Sequence, residues 1–366
     1  MSPRATSTPS PEERRRWSPD EALPPGYLLR DELNARSISQ AELAMRTGLS
    51  PKHINQVING VVPLSAEVAL VLERVLGVPS HIWNGMEAEF RDAQVRHITQ
   101  DRFRRYIEWA RKFPISELVT YNKIAAGDDG PVLVGRLLAF FGVADPEAFA
   151  ELWNERSAAF RRTTQHKVDF YATATWLRLA ELAAAEITLE PFDGKAFANL
   201  LPGLRALTKL PLTKALPELQ QQAAATGVAV VRIPEIPGTR ACGATRWNKS
   251  TYPIVVLSGR YKTEDSLWFS FFHEAGHIIR HAKKMTYIRP EDGAGDDELE
   301  TEANEFAADT LIPPSATDQL GRLHTASEIT AFANQIGVDP GIVAGRLSND
   351  KVLTWAQTRK LRRSFN

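Results

Sequence analysis

The sequence predicts a mainly α-helical protein with a small β-sheet. Apolar residues recur at helical spacing along most of the 366 residues, and two β-branched runs bounded by Gly and Pro, 228–233 and 253–257, predict the sheet. The 43% hydrophobic content is enough for two or three packed domains and excludes a disordered or fibrous chain. We therefore expect a disordered tail (1–22), an all-helical domain (23–95), a helical middle region (96–222) and an α+β domain ending in a helical tail (223–366).

The composition narrows the classes of partner and compartment. The 44 basic and 44 acidic residues cancel, so affinity for nucleic acid must come from a local surface. The single cysteine, Cys242, excludes an intramolecular disulfide framework and a cysteine-rich zinc site, so any metal must be bound by His and carboxylates. The first twenty residues resemble neither a secretory signal nor a membrane anchor, and no apolar run is long enough to span a bilayer. We expect a soluble, cytoplasmic protein with no membrane partner.

Two short helices joined by a tight turn are predicted in the N-terminal domain. Ser39 and Glu42 have capping-box spacing, which starts the first helix, and Gly48 ends it. Ser50 and Pro51 then restart a helix as its N-cap and first residue. The apolar residues that pack the pair are Leu43, Ala44, Leu49, Ile54, Val57 and Ile58.

The second of these helices leaves four polar residues facing outward, Lys52, His53, Asn55 and Gln56. In a helix-turn-helix such residues enter a DNA groove. A plain helical hairpin with a solvated polar face is the alternative that spacing alone leaves open.

The stretch from Leu28 to Phe90 resembles the Cro/cI-type (XRE) helix-turn-helix domain of HigA-like antitoxins, through SQAELAMRTGLSPKHINQVING and LSAEVALVLERVLGVPSHIW. The resemblance implies that Gln40 contacts phosphate, that Lys52 and Gln56 reach base edges, and that His53 lies nearby. Lys can donate to guanine, and Gln can pair bidentately with adenine. We expect a palindromic operator in double-stranded DNA, bound by a homodimer.

The middle region continues the helical pattern, with breaks at 127–131 and at Pro191. Its aromatic residues are interpreted as core rather than as a cofactor site. The apolar positions at helical spacing are Phe103, Ile107, Phe149, Trp153, Trp176, Leu179 and Ala183.

The third domain contains the string HEAGH, in which His273 and His277 stand four residues apart. On a helix the two imidazoles project from one face, as two ligands of a single ion must. Zinc held by two His and one carboxylate keeps a position open for water, and Glu274 is placed to take that water's proton. Three acidic residues downstream offer the third ligand, unless they are only a solvated helix start: Glu300, Glu302 and Glu305.

This region resembles the ImmA/IrrE family of metallo-endopeptidases, through LSGRYKTEDSLWFSFFHEAGHIIRH, ETEANEFAADTLIP, GATRW and PIVVLS. The resemblance implies a zincin-like α+β domain in which Zn²⁺ binds His273 and His277, and Glu274 is the catalytic carboxylate. The first Glu of the family's ExxAN segment falls on Glu300, which makes it the third ligand, with Glu302 as the competing choice.

Three further expectations concern the surroundings of the metal. Asn304, one turn after Glu300, would orient a ligand. His281 is interpreted as solvated or as hydrogen-bonded to a ligand, and not as a ligand itself. The strand 254–257 is a candidate exposed edge for binding a substrate strand.

Together the two resemblances predict a DNA-binding transcriptional regulator whose zinc-dependent endopeptidase domain cleaves a protein partner, such as a repressor or toxin, in a toxin-antitoxin or stress-response setting. One alternative is a HigA-like DNA-binding antitoxin or repressor whose metal site is structural, although a structural site has no use for the base Glu274. Another is a protease whose N-terminal module binds protein, against which Lys52 and Gln56 argue. Manganese or another divalent ion also suits the ligand set.

Overall fold

The computed structural model describes residues 22–153, 168–248, 251–281, 287–290 and 298–365. The chain divides into two compact units, with the boundary between Arg105 and Tyr106. Helices dominate and one small sheet is present, so the predicted fold class is confirmed. The predicted disordered tail lies outside the described residues, apart from Ala22. Within the described ranges, no helix combines the length and apolarity needed to cross a membrane.

The first unit is a bundle of short helices closed by a long one. In its described part these are α1 (Pro25–Ala35), α2 (Gln40–Thr47), α3 (Pro51–Ile58), α4 (Ala66–Leu76) and α5 (Ser80–Phe103). The fully buried Trp83 anchors the core, and its indole N–H donates to the Val78 carbonyl at 3.1 Å. The apolar residues predicted to pack α2 and α3 lie in this core, with Leu49 at its margin.

The ends of α2 and α3 follow the capping residues. The Ser39 hydroxyl accepts from the Glu42 amide at 3.1 Å, Gly48 ends α2 with φ of 73°, and the Ser50 hydroxyl accepts from the His53 amide at 3.2 Å. The second half of the predicted capping box, a hydrogen bond from the Ser39 amide to the Glu42 carboxylate, is wrong. The Glu42 carboxylate pairs instead with Arg46, one turn along the same helix, at 2.5 Å.

The second unit begins with the middle region, whose described helices are α6 (Ile107–Ala110), α7 (Ile115–Thr120), α8 (Gly130–Phe141), the helical residues 146–153, α9 (Phe170–Ala185), α10 (Gly194–Leu204) and α11 (Leu212–Ala224). The sheet and its helices follow as β1 (Ala229–Arg232), β2 (Ala241–Asn248), β3 (Tyr252–Leu257), α12 (Glu264–Arg280), β4 (Tyr287–Pro290) and α13 (Glu298–Leu311). The chain closes with α14 (Pro314–Thr317), α15 (Ala326–Ile336), α16 (Pro340–Asn349) and α17 (Trp355–Thr358). Short 3₁₀ turns cover Arg104–Tyr106, Arg205–Lys209, Leu320–Arg322 and Arg359–Leu361.

The four strands of the sheet are ordered β1-β3-β2-β4. β3 runs parallel to β1 and antiparallel to β2, and β2 is antiparallel to β4. The expectation that residues 254–257 form an exposed edge is therefore wrong, because these residues belong to β3 and have a hydrogen-bonded strand on each side. Among the described strands, β1 and β4 are the edges.

Both faces of the sheet are covered, because side chains alternate along β2 and each face has helices packed on it. Thr245 and Trp247 face the layer that contains α12. Arg246 faces the opposite layer and pairs with Glu181 of α9 at 2.5 Å. The sheet is thus the middle of three layers.

The aromatic residues of the middle region form a core, as predicted. The rings of Phe113, Phe141 and Phe149 contact one another at centroid distances of 4.7–5.3 Å. Trp176 of α9 donates its indole N–H to the Ile233 carbonyl just after β1, at 2.9 Å. The described residues between 106 and 222 therefore pack in the same compact unit as the sheet.

The C-terminal segment fixes the start of α12. The Glu264 amide donates to the Arg363 carbonyl, and the Phe365 amide donates to the Lys262 carbonyl. Arg362 pairs with Asp265 at 2.8 Å, and Arg363 pairs with Glu264 at 2.7 Å. Burial raises the pKa of both carboxyls despite the lowering effect of the arginines.

Candidate metal centre

The site forms where α12 and α13 pack closely against each other. A Cβ at Gly276 would lie 3.3 Å from the Cα of Ala303 and 3.1 Å from the Phe306 ring, which is tighter than ordinary contact. Small residues at this crossing let the helix backbones approach. As a result Glu300, one turn before Ala303, reaches the face of α12 that carries the two histidines.

Three buried side chains converge there, from His273, His277 and Glu300. The two Nε2 atoms lie 3.1 Å apart, and the Glu300 oxygens lie 3.2 Å from His273 Nε2 and 3.4 Å from His277 Nε2. Ligands about 2.1 Å from a tetrahedral ion are separated by roughly 3.4 Å. The donor atoms, two imidazole nitrogens and a carboxylate oxygen, are therefore spaced and chosen as a divalent ion of the zinc type requires.

The charge of Glu300 is stabilised by the histidines around it. Burial raises the pKa of this carboxyl, but hydrogen bonds and attraction to His273 and His277 outweigh that effect and lower the pKa to about 2. A carboxylate that stays ionised over the whole physiological range is available as a metal ligand at any working pH.

Glu274 is fully buried and held by β2. The Thr245 hydroxyl lies 2.8 Å from its Oε2 and 2.9 Å from its main-chain carbonyl, and can donate to either. A Cβ at Gly243 would lie 2.7 Å from Glu274 Oε1, a distance that real Cβ atoms do not adopt. β2 thus affects the Glu274 carboxylate in two ways. The Thr245 hydroxyl can donate to it, and the absence of a side chain at Gly243 leaves space for it.

Each histidine of the cluster has a partner at its other ring nitrogen. His273 Nδ1 lies 3.0 Å from Asn304 Oδ1. His277 Nδ1 lies 2.8 Å from His281 Nδ1, and His281 Nε2 lies 3.1 Å from Glu302 Oε2. Of the two roles predicted for His281, the structure shows the hydrogen bond to a predicted ligand and not the solvated side chain. Glu302, the competing third ligand, contacts His281 instead of the cluster.

The predicted DNA-contacting residues lie on α2 and α3. Gln40 is exposed at the first position of α2, and Lys52 is exposed on α3. His53 and Gln56 are half-buried. Lys52 and Gln56 are four residues apart and so lie on one face of the helix.

Sequence reasoning missed three residues of the candidate metal centre: Gly243, Thr245 and Gly276. A signal existed for the first, since a glycine inside a strand pattern marks a close approach of another group. No local pattern identifies Thr245, because its partner Glu274 is 29 residues away. Gly276 lies inside HEAGH, a pattern that identifies the predicted metal ligands but gives no role to this glycine.

Comparisons with known proteins find a different family in each of the two compact units. Residues 29–83 match the helix-turn-helix family, and residues 225–348 match the IrrE N-terminal-like domain family. The HTH-type transcriptional regulator RamB of Mycobacterium tuberculosis, in strains CDC 1551 and H37Rv, is 34% identical over 77 residues. That alignment covers 21% of this chain and 16% of the relative, so the chain spans about a sixth of the curated relatives it matches.

Among solved structures, one similar chain is an addiction module antidote protein of the HigA family from Coxiella burnetii. It is 19% identical with a TM-score of 0.21, and the match covers 22% of this chain and 90% of that one. The two family matches each cover a part of the chain. They identify a helix-turn-helix domain of the Cro/cI type near the N-terminus and an IrrE-like domain in the second compact unit.

Proposed function

We propose that this protein is a transcriptional regulator that binds operator DNA and carries a zinc-dependent endopeptidase, which cleaves a protein partner such as a repressor or toxin. The observation that carries the enzymatic part is the position of Glu274. It directly follows a ligand of the His273, His277 and Glu300 cluster, and a hydroxyl of the sheet holds its carboxylate. A site that only stabilised the fold would not need a buried carboxylate beside its ligands.

The residues divide the work of peptide hydrolysis. When bound to His273, His277 and Glu300, zinc supplies Lewis acidity that activates water and polarises the scissile carbonyl. Glu274 takes the proton of the attacking water and delivers it to the amide nitrogen as the C–N bond breaks. Thr245 keeps the carboxylate in one orientation, which limits the reorganisation needed during the reaction.

The N-terminal domain selects the DNA site. We assign Lys52 and Gln56 to base edges and Gln40 to phosphate, with His53 beside them, because the first two share the outward face of α3. A dimer of this domain would read two half-sites about one helical turn apart. Regulation then follows from binding near a promoter and removing a protein partner by cleavage.

The test uses Glu274→Gln, which keeps the size of the side chain but cannot accept the proton. We expect at least a hundredfold loss of cleavage with zinc stoichiometry unchanged. Glu305→Gln is the matched control, since it removes the same charge at an exposed position of α13. Cells expressing wild type, Glu274→Gln or Glu305→Gln are compared by labelling new protein N-termini for mass spectrometry.

Cleavage sites present with wild type and Glu305→Gln, but absent with Glu274→Gln, support the peptidase. If Glu274→Gln gives the wild-type set of N-termini, the peptidase is excluded. A repressor with a structural metal site then replaces it, provided that the Glu274→Gln protein still binds zinc and DNA.

A further inference from the structure

We propose that His281 and Glu302 form a hydrogen-bonded relay that positions the metal ligand His277 and strengthens its bond to the ion. The inference rests on the proposed metal site and assigns two residues that are not ligands themselves. The relay runs from Glu302 Oε2 to His281 Nε2 at 3.1 Å, and from His281 Nδ1 to His277 Nδ1 at 2.8 Å. It links α13 to the end of α12 next to the ligand cluster.

The position of each proton follows from the geometry. An imidazole that binds a metal through Nε2 carries its proton on Nδ1, so His277 must donate at Nδ1. Two nitrogens 2.8 Å apart share one proton, and His281 Nδ1 is therefore the acceptor. Because Nδ1 of His281 accepts, Nε2 is the ring nitrogen that donates, and the Glu302 carboxylate accepts from it.

The two histidine ligands are supported differently. His273 donates to the amide oxygen of Asn304, which is neutral and can fix the ring orientation. The series of hydrogen bonds that starts at His277 Nδ1 ends on the Glu302 carboxylate. The charge of this carboxylate makes the His277 imidazole a more basic and stronger ligand. This asymmetry predicts that the support of His277 contributes more to metal affinity than that of His273.

Burial separates this role from two alternatives. The His281 side chain is 2% exposed, so it does not serve as a solvated histidine on the helix surface. Glu302 is 42% exposed and extends from the surface to His281, whereas the Glu300 side chain is 5% exposed among the ligand atoms. Glu302 is thus placed to carry the charge of the relay and not to replace Glu300 as a ligand.

A purely structural role for His281 is the serious competitor, because its amide also donates to the His277 carbonyl at the end of α12. Substitution of the side chain leaves that main-chain bond in place. Zinc affinity and the protonation pattern of the rings are therefore the readouts, since a residue that only ends the helix would alter neither.

The experiment compares zinc affinity, measured by competition with a chromogenic chelator, in the full-length protein and four variants. His281→Leu removes the acceptor, and we expect zinc to bind roughly 10- to 100-fold more weakly. His281→Asn puts an oxygen where Nδ1 lies and copies the neutral Asn304 arrangement, so part of the affinity should return. Glu302→Gln should cost less than His281→Leu, and the exposed Glu305→Gln should match wild type.

Long-range ¹H–¹⁵N spectra of the zinc-loaded protein give the second readout, which does not depend on activity. We expect a proton on Nδ1 of His277, and on His281 a proton on Nε2 with Nδ1 as the acceptor. Equal zinc affinities in wild type, His281→Leu and Glu302→Gln, or a His281 protonated at Nδ1, would overturn the relay while leaving the proposed function intact. A wild-type protein that takes up no zinc would overturn both.

Discussion

Acidification of the metal-free protein should remove the stabilisation that Glu300 gives to the fold. The perturbation is a fall in pH after chelation, compared between wild type and Glu300→Gln. Burial, opposed by the stronger effects of His273 and His277, leaves the Glu300 pKa at about 2, against 4.5 for the ordinary carboxyl. Because the folded pKa is the lower one, the stabilisation is present above pH 4.5 and is lost as the pH falls through about 2.

The magnitude follows from the two pKa values. A difference of about 2.5 units corresponds to roughly 3 kcal/mol, at about 1.4 kcal/mol per unit. By about pH 3 the unfolded carboxyl is mostly protonated while the folded one is still ionised, so about 2 kcal/mol is already lost relative to pH 6. The side chain is 5% exposed, and solvent screening therefore reduces this figure little.

The assay is urea unfolding at a series of pH values between 6 and 3, with chelator present throughout. The difference in unfolding free energy between wild type and Glu300→Gln should shrink by about 2 kcal/mol over that range. Glu305→Gln, altered at an exposed carboxylate of the same helix, should keep the wild-type profile. A wild-type minus Glu300→Gln difference that stays constant with pH would refute the reasoning.

Two further predictions concern the strand that contacts the proposed catalytic carboxylate of Glu274 and the proposed DNA-binding surface. Gly243→Ala places a Cβ 2.7 Å from Glu274 Oε1 and should reduce the rate of cleavage at least tenfold with zinc content unchanged. Gly203→Ala is the control and should have no effect, because its Cβ meets no atom within 4 Å. Cleavage unchanged in Gly243→Ala would refute the positioning of Glu274 by β2. Gln56→Ala should reduce the binding free energy by about 1–3 kcal/mol on the specific operator alone, whereas Gln40→Ala should weaken binding to specific and random DNA alike. Fluorescence anisotropy measures both affinities. Equal losses on the two DNAs for Gln56→Ala would contradict its role as a base reader.

The sequence determined the features that depend on neighbours a few residues away. The N-caps Ser39 and Ser50 and the left-handed Gly48 set the ends of α2 and α3, because capping is decided within one helical turn. The pairing of His273 with His277 is equally local, since a spacing of four residues places both rings on one face of any helix. These parts of the fold and of the site could be predicted without a structure.

The order of strands in the sheet was decided by tertiary packing. The β-branched run 253–257 predicts a strand, yet its composition is the same for a buried edge and for a strand with neighbours on both sides. Only the pairing of β3 with β1 and β2 places it in the interior. The position of a strand in a sheet depends on contacts between distant segments, which a local pattern does not contain.

The choice among the acidic residues of α13 also required the structure. Glu300 and Glu302 are two residues apart, which turns them about 200° from each other on a helix, and the sequence does not say which face meets α12. The close crossing at Gly276 and Ala303 decides it. That crossing directs Glu300 to the two histidines and Glu302 to His281, and only packing between the two helices brings these groups within hydrogen-bonding distance.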